Sequence, residues 1–267
     1  MLKYIDIHSH LNLEMLQKDR EAVLVRMNEA QVGTITIGVD YETSCEAISI
    51  AKQYDFIWAG VGMHPADNTE EIFDFEKYKI LAQDSKVVCI GECGLDYYRT
   101  PMEEKEATKE RQEKLFREHV QLALEVAKPL MIHARPSPGS MDAYVDVLDI
   151  LEEYKKMYPQ LIANFHFFVG DIEIAKRILS FGFTMSFDGP ITFSRDYDEV
   201  IKFLPLENIM AETDAPFAAP VPYRGKTCEP YMVTEIYKKI AEIKNLSEEI
   251  VRENILANAK RVFKIEF

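Results

Sequence analysis

"KYIDIHSH", residues 3–10, is a strand-length apolar run that closes on two histidines one residue apart. A strand sends alternate side chains to opposite faces, so His8 and His10 point to one side, with Asp6 one step below them. Two imidazoles on one side of a strand end can share one metal ion or one anion. A hydrogen-bonded polar pair near the surface is the plain alternative. The rest of the chain decides between them.

Seven more strand-length runs follow: "TITIGV" (34–39), "FIWAGVG" (56–62), "KVVCIGE" (86–92), "PLMIH" (129–133), "LIANFH" (161–166), "GFTMSF" (182–187) and "NIMAET" (208–213). Helical spacing fills the intervals near 14–31, 42–54, 73–84, 103–127, 141–157, 171–180 and 195–203. It is clearest in 103–127, where Leu115, His119, Leu122 and Val126 recur beside Phe116, Val120 and Ala123. A C-terminal helical region spans about 229–263, and "NLSEEI" (245–250) supplies a Ser cap and nearby Glu for a new helix within it. Strands alternating with helices predict a parallel sheet. Eight such units in roughly 250 residues predict an α/β fold of the (β/α)8 TIM-barrel type. An open doubly wound sheet would carry a Gly-rich phosphate loop after its first strand, and none is present. No repeat, low-complexity stretch or linker divides the chain, so residues 1–267 read as one domain.

A barrel places its chemistry at the C-terminal ends of its strands. His8 and His10 end the first strand, and His64, in "GMHP", follows the third. Glu92, His133, His166 and Asp214 end the fourth, fifth, sixth and eighth. Five of the chain's six histidines thus fall on one rim. His119 is the exception, mid-helix, where a packed or solvent-edge role is expected. Any one of these residues alone reads as a hydrogen-bonded turn residue; together they read as a ligand set for one or two divalent metals. Imidazole and carboxylate suit zinc, manganese, iron or cobalt better than calcium. Few ligands per ion leave positions open, the catalytic pattern. The expected division gives His8, His10 and Asp214 to one ion and His133 and His166 to the other, with Glu92 bridging. Two such ions outweigh two carboxylates by about two positive charges, which draws an anion, and a phosphodiester fits. Asp6 and Glu212 are candidates to orient the ligands.

The 267 residues carry a formal net charge of −14, with 47% hydrophobic and 28% charged residues. That acidity disfavours broad, non-specific binding to duplex nucleic acid, which needs Lys and Arg, but leaves room for a polyanion at one local metal site. No window is long and apolar enough to span a membrane. The N-terminus turns polar too early for a signal peptide. Four scattered cysteines make no disulfide framework, and Cys89 and Cys93 have no second pair to complete a zinc site. A cytoplasmic location is the expectation.

The blocks "DIHSH", "GMHP", "IGECGLDYY", "IHAR", "FHFFVG" and "ETDAPFAAPVPYRGKTCEP" resemble the TatD-type deoxyribonucleases, a branch of the amidohydrolase-like metal-dependent barrels. The resemblance runs in order from residue 6 to "NAKRVFKI" (258–265). It implies a (β/α)8 barrel with two divalent ions (Zn, Mn or Mg) that hydrolyses nucleic-acid phosphodiesters, often as an exonuclease, with DNA as the expected partner. It places the metal ligands on His8, His10, Glu92, His133, His166 and Asp214. It reads His64 as a phosphate contact or proton-transfer aid, and its arginine after the fifth strand falls on Arg135. In the mechanism expected from it, Asp214 takes the proton of the attacking water, Glu92 bridges the ions, and His64 and Arg135 hold the phosphate. Tyr97 and Tyr98 either stack on a base or pack the loop. Arg224 and Lys226 either meet a longer strand or are solvated. Three departures bear on substrate shape: "HFFVG", which puts Phe167 and Val169 where small polar residues are usual; a longer, stiffer 134–142 loop; and Tyr223 where a histidine is common. Two rivals remain. One is a barrel hydrolase for small esters, lactones, cyclic amides or phosphotriesters; many of these bridge their metals with a modified lysine, and no lysine stands at a strand end here. The other is a binding protein with a relic site, which would have lost a ligand, and none is missing.

Overall fold

The fourth strand is the longest, ten residues, and carries Glu92. In the computed structural model, which describes residues 2–67, 71–98 and 105–266, it is one of eight parallel strands. These are β1 (Tyr4–Ser9), β2 (Val32–Ile37), β3 (Ile57–Val61), β4 (Val87–Asp96), β5 (Leu130–Arg135), β6 (Ala163–Phe165), β7 (Thr184–Phe187) and β8 (Ile209–Ala211). They pair in chain order. The ring then nearly closes: Ser9 bridges Ala215, the Asp214 amide donates to the His8 carbonyl (3.0 Å), and the His10 amide to that of Ala215 (2.7 Å). The predicted barrel is the observed one.

Among the described residues, ten α-helices occupy the intervals: α1 (Glu14–Gln17), α2 (Arg20–Ala30), α3 (Tyr41–Ala51), α4 (Phe75–Ala82), α5 (Lys105–Val126), α6 (Asp142–Met157), α7 (Ile172–Ser180), α8 (Asp198–Phe203), α9 (Val233–Lys244) and α10 (Glu248–Phe263). Caps fix several starts. Asp40 and Thr43 form a reciprocal capping box on α3, Asp171 accepts from the Ile174 amide, and Ser247 accepts from the Ile250 amide as the sequence predicts. The stretch expected as one helix over 14–31 is two, because Asp19 leaves helical geometry (φ −115°, ψ 15°). The region 229–263 likewise divides at Asn245, whose left-handed backbone (φ 53°) ends α9. Of the helix expected over 103–127, residues 103–104 lie outside the described residues. Among the described residues, no helix is long and apolar enough to cross a membrane, and all four cysteines are free.

The strands are buried on both faces, as a parallel barrel requires. One face is apolar and packs under the helices: Ile5, Ile35, Ile37, Ile132 and Phe165 are fully buried. Each such side chain contributes about 1.5–3 kcal/mol. The other face is polar and satisfied from strand to strand. Ser9 Oγ pairs with Thr34 Oγ1 (2.7 Å), Thr184 Oγ1 donates to Asn164 Oδ1 (2.8 Å), and Asn164 Nδ2 donates to Ser186 Oγ (2.8 Å). This polar interior is the floor on which the rim residues stand.

The expectation that Glu92 ends the fourth strand is corrected: β4 continues to Asp96, with its register against β5 shifted between Ile90 and Cys93. The cause is the pair of glycines in "GECG". Gly91 (φ 150°) and Gly94 (φ 138°) adopt backbone that other residues rarely reach. A Cβ on Gly94 would lie 2.0 Å from the His133 carbonyl oxygen, and one on Gly91 2.4 Å from that of Met131. The irregularity turns the Glu92 carboxylate inward while pairing resumes beyond it.

His119 proves to be packed rather than at the solvent edge. It is fully buried, donates from Nδ1 to the Leu115 carbonyl (2.8 Å), and accepts the Met63 amide at Nε2 (2.9 Å). Burial depresses its pKa to about 4. The unfolded chain, with an ordinary histidine near 6.5, therefore binds more protons than the folded chain between these values. Stability rises with pH across that window. The group contributes about 3 kcal/mol that is fully present above pH 6.5 and lost as pH falls from 6.5 towards 4. Urea unfolding of His119→Gln between pH 7 and 4.5 should show a shallower acid decline than the parent. An equally steep decline would refute this assignment.

Candidate metal centre

Glu92 sits at the middle of the rim, 4% exposed, with its two oxygens facing different partners. Oε1 lies 2.7 Å from His133 Nδ1, 2.9 Å from His166 Nε2 and 3.6 Å from His64 Nε2. Oε2 lies 3.4 Å from His8 Nε2 and 3.7 Å from His10 Nε2. Asp214 Oδ1 closes the second group, 3.3 Å from His10 Nε2 and 3.7 Å from His8 Nε2. All the rim residues singled out in the sequence are thus brought together. Among the described residues, four overlapping metal-sized groups occur: His8, His10 and Glu92; His8, His166 and Asp214; Glu92, His133 and His166; and His64, Asp96 and His133, so that they gather about the two oxygens of Glu92. They are two clustered sites sharing one carboxylate, the arrangement of a binuclear divalent-metal centre.

Two of the rings, His10 and His133, have their outer nitrogens fixed by groups that accept. His10 Nδ1 donates to the Ile37 carbonyl (2.9 Å), and His133 Nε2 to Asp96 Oδ2 (3.3 Å). His166 Nδ1 stands 3.3 Å from Glu212 Oε1. Where His10 and His133 carry one proton each, they spend it outward and offer the inner nitrogen's lone pair to a cation, whereas His8 Nδ1 is buried with no hydrogen-bond partner. The inner nitrogens then meet one another and Glu92: His8 Nε2 and His10 Nε2 are 3.2 Å apart, as are His133 Nδ1 and His166 Nε2. Lone pairs packed this closely call for cations between them. The donor set, imidazole nitrogens and carboxylate oxygens, fits divalent transition metals.

Electrostatics follow from this crowding. Where no cation stands between the inner nitrogens, protons on them take its part: burial works against charge on Glu92, but the neighbouring His166 and His64, with hydrogen bonds from His133 and His166, then hold it well below the usual carboxylate range. Asp214 is lowered too: burial opposes its charge, and the His10 hydrogen bond and nearby imidazoles outweigh that. His64 goes the other way, down to about 4, by burial and the neighbouring His133. It is a neutral ring at ordinary pH.

The supporting residues differ in part from expectation. Glu212 orients as predicted: it stands beside His166, accepts the Phe167 amide (2.6 Å), and receives Ser186 Oγ (2.5 Å) from the barrel floor. Asp6 touches no ligand ring. It accepts the His8 and Thr213 amides (3.2 and 2.9 Å) and the Thr213 hydroxyl (2.6 Å), so it ties the two ligand-bearing segments together by their backbones. Asp96 is missing from the sequence reading because β4 was ended four residues early. Alternation from Glu92 through Gly94 would have found it. Asp188, just past β7, is missing as well. It is buried beside the centre, and burial, then the Glu212 and Asp214 charges, push its carboxyl well above the usual range. Alternation from Thr184 through Ser186 points to it.

A cavity of about 650 Å³ opens over Glu92, walled by His64, Arg135, Phe167, Val169 and Phe217 among others. Phe167 and Val169, the departures in "HFFVG", therefore shape the cavity. Arg135 lies with its guanidinium 4.0 Å over the exposed Tyr98 ring. Tyr97 is a packing residue, buried with its hydroxyl on Asp146 (3.0 Å). Arg224 is exposed and stacks 3.8 Å over Phe193. Tyr223 packs edge-on against Tyr231, with Lys226 near its ring.

Comparison with known proteins agrees with this geometry. The family model described as TatD related DNase matches residues 5–264. YabD of Bacillus subtilis (strain 168), an uncharacterised metal-dependent hydrolase, is 38% identical over 266 residues, covering 97% of this chain and 98% of that protein. YcfH of Escherichia coli (strain K12), described in the same words, is 32% identical over 268 residues, covering 98% and 96%. The crystal structure of YJJV, a TatD homolog from Escherichia coli K12, superposes with a TM-score of 0.88 at 25% identity over 99% of each chain.

Proposed function

The chain belongs to the TatD-related DNase family, and from that premise we propose that it hydrolyses nucleic-acid phosphodiesters, with DNA as the substrate and attack at strand ends. Family and donor clusters together make it a metal-dependent hydrolase of the amidohydrolase-like superfamily. The observation that carries the finer reading is the division of Glu92, one oxygen towards His133 and His166 and the other towards His8 and His10. In this reading His8, His10 and Asp214 hold one ion, His133 and His166 hold the second, and Glu92 joins both. Two bound ions supply Lewis acidity and positive charge for an in-line displacement at phosphorus.

The chain's own groups then have separate tasks. Asp214, held ionised, takes the proton of the attacking water at its carboxylate. His64 accepts the Ala66 amide at Nδ1 (3.2 Å). Asp67 Oδ2 is 3.2 Å from the same nitrogen, but that carboxylate is exposed, whereas the amide is fixed by the chain and sets the tautomer. The remaining proton sits on Nε2, facing Glu92 and the cavity, and is offered to a phosphate oxygen. Arg135 sits with its guanidinium 4.0 Å over the Tyr98 ring and lines the cavity, where it can grip two phosphate oxygens. Phe217, about half exposed in the cavity wall, and Tyr98, half exposed beneath Arg135, offer faces on which a base can stack.

The deciding experiment is a cleavage assay. Metal-stripped protein is given end-labelled single-stranded DNA and its duplex, with magnesium, manganese or zinc restored, beside His133→Ala. Stepwise shortening that needs metal and disappears in the variant is expected. Intact DNA under every condition, with two ions bound per chain, would overturn the nuclease reading and turn attention to small esters and lactones.

A further inference from the structure

Helix α5 ends three of its side chains on the backbone around the centre. His119 Nε2 accepts the amide proton of Met63 (2.9 Å), and Arg111 Nη2 donates to the carbonyl of Pro65 (2.9 Å). Those two residues flank His64. Gln112 grips Asp96 from both sides of its peptide frame: Oε1 accepts the Asp96 amide (2.9 Å) and Nε2 donates to the Asp96 carbonyl (3.0 Å). Residues 112 and 119 are about two helical turns apart and share a face. The ring of His119 is locked: Nδ1 donates to Leu115, Nε2 receives Met63, and Phe73 packs against it at 4.3 Å. Burying an imidazole costs more than burying a leucine there unless its polar atoms are used. Both are used, and one of them on the residue before His64.

We propose that α5 is a splint for His64, and that His119 is its positioning residue, fixing through Met63 where the His64 ring stands over Glu92. The inference rests on the reading of His64 as the group that meets phosphate. A displacement of about 1 Å in such a group can cost on the order of a hundredfold in rate. His119→Leu keeps the volume and removes the acceptor. It is expected to lower kcat about tenfold or more with two ions still bound. His119→Gln, whose amide can accept from Met63 and donate to Leu115, should restore most of that loss. Arg111→Met, which releases Pro65 on the other side, should act in the same direction.

The test is a double-mutant cycle with His64→Ala. With His64 gone, His119→Leu should change kcat by less than about twofold, because its effect passes through that ring. A folded, metal-loaded His119→Leu protein with parental kcat overturns the proposal. So does an equal loss with and without His64, which is what general loosening of the barrel would give. If His119→Leu does not fold, Arg111→Met enters the same cycle with the same criteria. Affinity of the metal-loaded protein for inorganic phosphate separates this inference from the nuclease reading. A parent that binds phosphate but leaves DNA intact fails that reading alone. The splint is then judged on phosphate affinity, which should fall about tenfold in His119→Leu and not fall further when that change is added to His64→Ala.

Discussion

Glu92→Gln is expected to reduce turnover about a thousandfold or more and to drop bound metal from two ions per chain towards one. The substitution keeps the shape of the side chain and removes its charge. One of its two oxygens becomes an NH2, so one half of the centre faces a donor where it had an acceptor. The remaining imidazoles are already packed with lone pairs inward, His8 against His10 and His133 against His166, each pair 3.2 Å apart. Without that carboxylate the His133–His166 half has no charge on its inner side to balance a cation, while the His8–His10 half keeps Asp214. Breaking a buried charge arrangement by removing one partner costs about 3–5 kcal/mol, and in a transition state that becomes two to four powers of ten in rate. Elemental analysis and single-turnover kinetics on the same preparation read both effects. A variant with two ions and near-parental turnover would remove Glu92 from the mechanism.

Stripping the metal is the second large effect. Chelation should abolish turnover and lower the melting temperature by roughly 10 °C relative to protein held at saturating metal. Ligand binding to the folded state alone stabilises by about 4 kcal/mol at a thousand times the dissociation constant. In a chain of 267 residues each kcal/mol moves the midpoint by roughly 2–4 °C. The gain should shrink as pH falls, beginning above the ordinary histidine value of about 6.5, because burial, which opposes charge on His10, His133 and His166, is outweighed by the surrounding carboxylates that raise them, and protons compete there for the imidazoles. Calorimetric scans with and without chelator, at pH 7.5 and 5.5, measure both. A melting temperature indifferent to metal would mean that the clustered side chains are held by something else.

Much of this centre is legible in one sequence because a barrel turns strand ends into one rim. The His8–His10 pair, His133, His166 and Asp214 come from four distant parts of the chain, yet each follows an apolar run, and the fold does the gathering. Glu212 is legible for the same reason, two residues before Asp214 on an alternating segment. The misses have local causes. Asp96 is hidden because glycines at 91 and 94 read as a strand's end, when they are what lets β4 bend around Glu92 and continue. Asp6 is assigned to the ligand rings because spacing gives a face but not a partner; its carboxylate finds backbone amides first. His119 carries no signal beyond helical period, since its partner Met63 lies 56 residues away on another element. Tyr97 and Tyr98 are adjacent in sequence and opposite in fate, one buried on Asp146 and one exposed under Arg135.

The seam between β8 and β1 has a consequence for the life of the chain. The bonds that nearly close the ring, Asp214 to His8 and His10 to Ala215, run through the backbone of three of the clustered side chains. Residues 8 and 214 are separated by most of the polypeptide, so a chain emerging from the ribosome has no complete site until its last strand arrives. Hydrolytic capacity is thereby withheld from the half-made protein, and any truncation that removes the final strand yields an inert product rather than an unregulated one.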